Sequence, residues 1–452
     1  MQDKLSNCNL ELTLAVKEEI SPAQVLQVCK DFKAIAAASK ALQAQGVLVS
    51  IRLRAVLGYE LTLLVTKELA PFLHSIDYHQ ALDLSAEWTQ ASGFFANAAA
   101  VFSQAAFTNL TAGDSPIQSL CLSDHSLPQL EVSKGIPLDS SISAIGALQH
   151  LTRLHLSILA RTDFEPLGQL TGLQDLALQS DSHSASACDV IRSNSATLQH
   201  VILSSRGWDA ATLSALVDLP KLRTVTIKVL SLTVDDASII SHLLRPESVQ
   251  VMLRKSAKML PEAFKVLTTG QASITHLELW ELQNSCFCEL QSVQSLTSLT
   301  VVRPSAGFTG EGLKAQPSLD TLRLVSCFFL TDDGLRSLLA SALLLRMLLI
   351  QQEQQHTCPP EFRGSDALTK HGLVSVAQAQ NLVYLDLQGV KVTRGGEKLW
   401  KAASVHSRRL ATCSLQLSCC CPSFPSGMVT MCSHLTACIT LLLPHTEMAE
   451  QT

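Results

Sequence analysis

Residues able to do covalent chemistry are plentiful in this chain, with 14 cysteines and 14 histidines, but they are not grouped as catalysis requires. The paired acids Asp235–Asp236 and Asp332–Asp333 fall at predicted helix starts, where carboxylates favour the positive end of the helix dipole. His74 and His79 are five residues apart and are expected to straddle a bend. Cys286 and Cys288 form a C-x-C, but a metal would need two more ligands nearby and no matching pair occurs. Cys419, Cys420 and Cys421 are contiguous, with Cys432, Cys438, His434 and His445 beyond them. That spacing is not tetrahedral, and acylation of the triplet is the alternative reading. Glycines in GQLTGLQ and GFTGEGLK lack the following G-K-[ST] of a phosphate loop, and neither H-E-x-x-H nor a nucleophile elbow is present. No catalytic, cofactor or metal site is therefore expected. What remains is recognition chemistry. Trp, Tyr and Arg are the usual interface anchors, and the candidate contact residues are His276, Glu278, Trp280, Arg323, Tyr384 and Asp386. Trp280 is expected as a large exposed aromatic beside Glu278. Arg153, His155, Asp175, His200, Thr224 and Thr226 extend the set.

All of these residues sit in or beside a recurring hexad, L-x-x-L-x-L. It reads LTRLHL, LQDLAL, LQHVIL, LRTVTI, ITHLEL, LTSLTV, LDTLRL, LRMLLI and LVYLDL. Its last apolar positions are Leu156, Leu178, Leu203, Ile227, Val251, Leu279, Val301, Leu324, Ile350 and Leu387, spaced 22 to 28 residues apart except for a final step of 37. The L-x-L pair alternates with period two, which predicts a short strand with one face inward. TLSALV and GLRSLLA, further along their units, carry apolar residues at helical spacing. Each unit is thus a strand and a helix with leucines between them, and it can cover those leucines only by stacking on its neighbours. The remaining positions of the hexad point away from that interior.

A repeat of this period is the mark of a leucine-rich repeat, which implies an α/β solenoid, a horseshoe with a parallel concave sheet and outer helices, that binds a protein target on its concave face. LDTLRLVSCFFLTDDGLRSLLA (Leu319 to Ala340) resembles the cysteine-containing repeat of F-box receptors, with Cys327, Thr331, Asp332 and Gly334 on the pattern. Thr331 and Asp332 can cap the helix that follows. FTGEGLKAQ and VTRGGEKLW resemble weaker copies. IQSLCL and HQALDL (His79 to Leu84) extend the strand pattern upstream, with the Ala-rich stretch Ala91 to Phe107 as an intervening helix. LATCSL extends it downstream. Gln351 to Lys370, with its Gln run and two prolines, is expected as a flexible loop.

Residues 20–53 are similar to the second half of an F-box, the helical module that joins a substrate receptor to the Skp-family adaptor of a cullin–RING ubiquitin ligase. Ser21 and Pro22 match the helix opening, and Leu26, Val28, Cys29, Lys30 and Phe32 match the helix. Ile51, Arg52 and Leu53 match the closing strand. The resemblance implies that Pro22, Leu26, Val28, Cys29 and Phe32 contact the adaptor, with a cullin as a further partner. A helical cap over the first repeat is the competing reading of the same residues. NLELTL (Asn9 to Leu14) stands where the family has its opening LP-x-E motif. The domains read as 1–54 F-box-like segment or cap, 55–415 solenoid, and 416–452 Cys-rich disordered tail.

Composition agrees. The chain is 452 residues long, 47% hydrophobic and only 16% charged, against about a quarter charged in ordinary domains. No run of 18 apolar residues predicts a membrane span, and the first residues do not read as a signal peptide. A net charge of −5 argues against nucleic acid as a partner. Scattered cysteines fit a reducing compartment, so a cytoplasmic site is expected, with the nucleus also open. Two functional readings follow: a non-enzymatic substrate receptor of a ubiquitin ligase, or a leucine-rich scaffold with no ubiquitin role.

Overall fold

The computed structural model describes residues 9–16, 22–45, 47–55, 59–79, 109–110, 116–123, 138–158, 164–180, 186–259, 261–281, 289–304, 308–310, 318–327, 330–351, 372, 375–376, 379, 381–388, 412–416 and 439–440. The chain divides into two units, Met1–Lys228 and Val229–Thr452.

Unit 1 is a run of parallel strands taken in sequence order. They are β1 (Asn9–Val16), β2 (Leu48–Ala55), β3 (Leu73–His79), β4 (Ser119–Ser123), β5 (Arg153–Ile158), β6 (Asp175–Ser180), β7 (His200–Ser204) and β8 (Thr224–Leu232), which runs through the unit boundary. Helices α1 (Pro22–Ala44) and α2 (Tyr59–Leu69) join the first three strands. Later crossovers are shorter: Leu138–Gly146, a single 3-10 turn at Glu165–Gln169, Cys188–Ser193 and Ala210–Val217. Unit 2 continues the design with β9 (Ser248–Met259), β10 (Ile274–Trp280), β11 (Ser298–Val302), β12 (Thr321–Val325), β13 (Met347–Gln351), β14 (Tyr384–Gln388) and β15 (Thr412–Gln416), all parallel. A two-residue strand, β16 (Ile439–Thr440), pairs antiparallel with Ser414–Leu415. The helices Val234–Ser241, Pro261–Thr269 and Asp332–Ser341 lie in this half.

The physical cause is the one the hexads imply. Leu154, Leu156, Leu176, Leu178, Val201, Leu203, Val225 and Ile227 are at most 1% exposed in unit 1, as are Leu277, Leu279, Leu299, Val301, Leu322, Leu324, Leu348 and Ile350 in unit 2. Burial of one such side chain contributes about 1.5–3 kcal/mol. Successive coils are locked by one repeated backbone device ahead of each strand. Gln174 and Asp175 both donate to the Thr152 carbonyl, Gln199 and His200 to Gln174, and Arg223 and Thr224 to Gln199. In unit 2, Asp320 and Thr321 donate to Thr297, Arg346 and Met347 to Asp320, and Val383 and Tyr384 to Arg346. Helix starts are capped as their sequences suggest. Asp209 accepts from Thr212 N (2.8 Å), Thr233 and Asp236 form a reciprocal capping box, and Thr331 accepts from Gly334 N (3.0 Å).

Three expectations change. The first fifty residues are not helical throughout: NLELTL forms β1, so the segment is a strand–helix–strand coil of the same sheet. The strand before β4 is LHSIDYH rather than HQALDL, of which residues 80–84 lie outside the described residues. His74 and His79 consequently sit in one strand and straddle no bend. The Ala-rich stretch, most of FTGEGLKAQ, VTRGGEKLW, the loop after Gln351, Cys286, Cys288 and the tail cysteines also lie outside the described residues.

Candidate protein-binding face

Strand register lines up the outward positions of neighbouring coils into rows, about 4.8 Å from strand to strand. In unit 1 one row runs Ser119, Arg153, Asp175, His200, Thr224. Its side chains are linked in pairs. Arg153 Nε lies 2.5 Å from Asp175 Oδ2, Asp175 Oδ1 lies 3.9 Å from His200 Nε2, and His200 Nδ1 lies 2.7 Å from Thr224 Oγ1. Two linked pairs from four coils thus lie side by side on the face opposite the leucines. The next row holds His155, Ala177, Ile202 and Thr226. There Ala177 and Thr226 are buried, while Ile202 is an exposed aliphatic at 40%.

Unit 2 carries three such rows. His276, Ser298, Thr321, Met347 and Tyr384 form the first; Glu278, Thr300, Arg323, Leu349 and Asp386 the second; Trp280, Val302, Val325 and Gln351 the third. All six residues nominated from sequence therefore fall on one face in register, but their side chains differ in availability. Trp280 belongs to β10 itself and is half-buried; its indole Nε1 donates to Glu278 Oε1 at 2.9 Å. It is a tethered aromatic, not the freely exposed one expected. Arg323 is exposed and donates through Nε (3.2 Å) and Nη2 (2.8 Å) to Gln351 Oε1. His276 and Tyr384 are half-buried. Asp386 is only 5% exposed, between Leu349 and Ser414 in the register, and so is an interior group that offers a partner little.

Gln351 is the neighbour of Arg323 on this face that sequence reasoning missed. It follows the last apolar residue of LRMLLI, the position that Trp280 holds in β10. That correspondence is readable once hexads are aligned column by column.

On α1, Val28 and Cys29 are half-buried, whereas Phe32 is 4% exposed and packs inward on the same side as Ala36 and Ser39. Phe32 is thus a core residue of this segment. Pro22 and Leu26 lie in the helix, at its first turn and one turn further on. Cys327 is 1% exposed, and burial pushes its thiol well above the ordinary range; desolvation raises Cys188 too. Neither has thiolate character for chemistry. Among the described residues no three metal-ligating side chains cluster, and no helix is long and apolar enough to cross a membrane.

Parallel strands in sequence order, hexad leucines buried side by side and helices or turns as the returns define a leucine-rich-repeat solenoid. No protein-family model matches the chain, and no curated protein does. Solved structures similar to it include an internalin (InlF) from Listeria monocytogenes, with 14% identity over 65% of this chain and 80% of that one at a TM-score of 0.36. The complex of Rad7 and Elc1 in yeast is another, with 17% identity over 87% of this chain and 93% of that one at a TM-score of 0.42.

Proposed function

We propose that this chain is a non-enzymatic receptor that captures a protein target on the open face of its sheet. The observation that carries the reading is preorganisation. Outward side chains from separate coils are already tied to one another, as Arg153–Asp175 and His200–Thr224 are in unit 1 and Arg323–Gln351 are in unit 2, where Glu278 also holds Trp280 of its own strand. Holding rotamer-rich side chains in place before encounter removes part of the entropy cost of binding, about 0.5–1.5 kcal/mol for each. A photo-crosslinking residue at His276 or Arg323 is expected to trap a discrete protein in cells, and the same residue at the exposed Lys265 of the helix Pro261–Thr269 is not. Equal trapping from both positions would remove the reading.

The finer assignment, substrate receptor of a cullin–RING ubiquitin ligase, rests on the F-box resemblance of residues 20–53. With Phe32 inside, adaptor contact falls to Val28, Cys29 and the opening of α1 around Pro22 and Leu26. Purified Skp-type adaptor should bind the full chain and lose it on Val28→Asp. Absence of any complex would leave the scaffold reading, in which the first coil serves only the stack.

A further inference from the structure

The coils on either side of β7 are joined to it differently. Between the coils of β6 and β7, Asn194 ties the end of the helix Cys188–Ser193 to the coil before. It accepts from Leu173 N and donates to Leu170 O, at 2.8 Å each, while Thr197 Oγ1 donates to Leu173 O at 2.7 Å. Asn194 and Thr197 stand four residues and one residue ahead of the hexad residue Leu198. In the next coil, counted from Leu222, those positions hold Asp218 and Lys221. Both are exposed, and neither side chain forms a hydrogen bond or ion pair among the described residues. The coils of β7 and β8 are joined at the helix starts, where Ala187 N donates to Thr212 Oγ1 (2.8 Å), and ahead of the strands, where Arg223 N and Thr224 N donate to Gln199 O. Between those points the missing bridges leave a cleft of about 430 Å³. Small-ligand sites run roughly 300–1,000 Å³. The lining residues all belong to the unbroken described stretch 186–259.

We propose that this cleft binds a free α-amino acid with an apolar side chain. Arg192 lines it from the first coil and Asp218 from the second. The two do not pair with each other, so a ligand has room between them. A guanidinium grips a carboxylate through two parallel hydrogen bonds, and a carboxylate accepts from an ammonium. Asp218 is also the C-cap of the helix Ala210–Val217, an end whose dipole favours a cation. A simple anion would meet Asp218 and a simple cation would meet Arg192, so the pair disfavours both and selects a group carrying both charges. Size agrees. A sphere of this volume is about 9 Å across, and an ammonium and carboxylate about 3 Å apart, with a hydrogen bond of about 2.8 Å at either end, fill that span. The floor is apolar, with Ala215 6% and Leu219 1% exposed, and Ala196 and Pro220 stand exposed beside it. It suits an aliphatic side chain. The cleft lies among the helices, away from the open face of the sheet, and does not depend on the protein-binding reading.

The test is isothermal titration calorimetry of the full-length chain with leucine as the probe, and circular dichroism as the control for folding. Leucine is expected to bind saturably. Leucinamide, which lacks the carboxylate, and N-acetylleucine, which lacks the ammonium, should each bind about tenfold more weakly. Glycine, with nothing to set on the floor, should also bind more weakly than leucine. Arg192→Gln should weaken leucine about tenfold yet leave leucinamide unchanged, and Asp218→Asn should weaken leucine about tenfold yet leave N-acetylleucine unchanged. Both residues are exposed, so both variants should keep the wild-type fold. No saturable heat from leucine up to about 10 mM, an affinity for leucine that either variant leaves unchanged, or leucinamide or glycine binding as tightly as leucine would overturn the proposal.

Discussion

His200 Nδ1 lies 2.7 Å from the Thr224 hydroxyl, and the same imidazole reaches Asp175 with its other nitrogen at 3.9 Å. Asp175 in turn pairs with Arg153, so one carboxylate holds a group on the coil before its own and lies beside the imidazole of the coil after it. The Arg153 and Asp175 side chains are 70% and 28% exposed, and a solvated ion pair contributes only about 0–1 kcal/mol. Asp175→Ala is therefore expected to change unfolding free energy by less than about 1 kcal/mol in urea titration. Crosslinking of a target through the unit 1 face should nevertheless drop, because Arg153 loses its fixed orientation. A large stability loss would mean that the pair holds the fold, not a partner.

Asn194 presents the opposite case. It is 1% exposed, accepts from Leu173 N (2.8 Å), and donates to the carbonyls of Leu170 and Val190 (2.8 Å each). It thus joins the helix Cys188–Ser193 to the preceding turn, where a short crossover leaves backbone groups without helical partners. Asn194→Ala strands one buried N–H and leaves two carbonyls short. Each orphaned group costs about 1–3 kcal/mol, so a loss of roughly 3 kcal/mol or more is expected. Chemical denaturation of the full chain measures it, and Asn194→Asp, which keeps the acceptor but sets a buried carboxylate against the two carbonyls, should cost at least as much.

Three consecutive coils of unit 2 end their strands on a left-handed residue: Glu281 (φ 52°), Arg303 (φ 47°) and Ser326 (φ 54°). The turn aims each amide at the next strand, with Glu281 N bonded to Val302 O, Arg303 N to Val325 O and Ser326 N to Gln351 O. A side chain in this conformation costs about 1–2 kcal/mol. Ser326 is also 2% exposed, and among the described residues its hydroxyl has no hydrogen-bond partner. Ser326→Gly relieves both penalties and should raise stability by about 1 kcal/mol, net of the entropy that glycine adds to the unfolded chain. Denaturation midpoints of the two proteins test this directly, and a destabilised variant would refute the strain argument.

How far sequence carried depends on what each residue answers to. The hexads placed β4 to β15 because inward burial every second residue is a local pattern that any strand in a stack must show. The first three strands escaped it: LVSIRL and LHSIDY fill the leucine positions with Ile and Tyr, and β1 lacks the leading leucine. Outward positions were also legible as a set, since parity alone assigns them. Their availability was not. Phe32 is buried on a helix that packs on α2 and β2, and Asp386 is 5% exposed although its parity points it outward. Those facts belong to tertiary neighbours that no spacing encodes. Trp280 is tethered locally, by Glu278 two residues before it.

Burial pushes the Cys327 thiol up, and Cys188 in the same direction. The folded state therefore keeps these thiols protonated while the unfolded chain releases its protons above about pH 8.5. Above that point the unfolded state binds fewer protons than the folded one, so stability falls as pH rises, by up to about 1.4 kcal/mol per pH unit for each thiol. The full contribution is present below the unfolded-state value and is lost toward the folded one. Cys327→Ala should have a shallower decline between about pH 7 and pH 10 than the wild type. Groups common to both proteins cancel in the comparison. Equal slopes would show that Cys327 is not desolvated.

Gly334 occupies the first turn of the helix Asp332–Ser341 and is buried. A Cβ there would overlap the Thr309 carbonyl oxygen and crowd Gly310 Cα at 3.0 Å. Two terms compete in Gly334→Ala. Helix propensity favours alanine by about 1 kcal/mol. Overpacking against backbone opposes it by about 1–3 kcal/mol or more. The second should win, because the Thr309 carbonyl cannot swing away: it already accepts from Thr331 N (3.1 Å) and from Thr331 Oγ1 (3.2 Å), the residue that caps this helix. Relieving the clash means prising apart two neighbouring coils and disturbing the cap. Ser337→Ala, on the exposed side of the same helix, should instead be neutral or gain a few tenths of a kcal/mol. Thermal denaturation of the pair reads the sign, and a Gly334→Ala protein as stable as Ser337→Ala would show that the coils at this point are not in backbone contact.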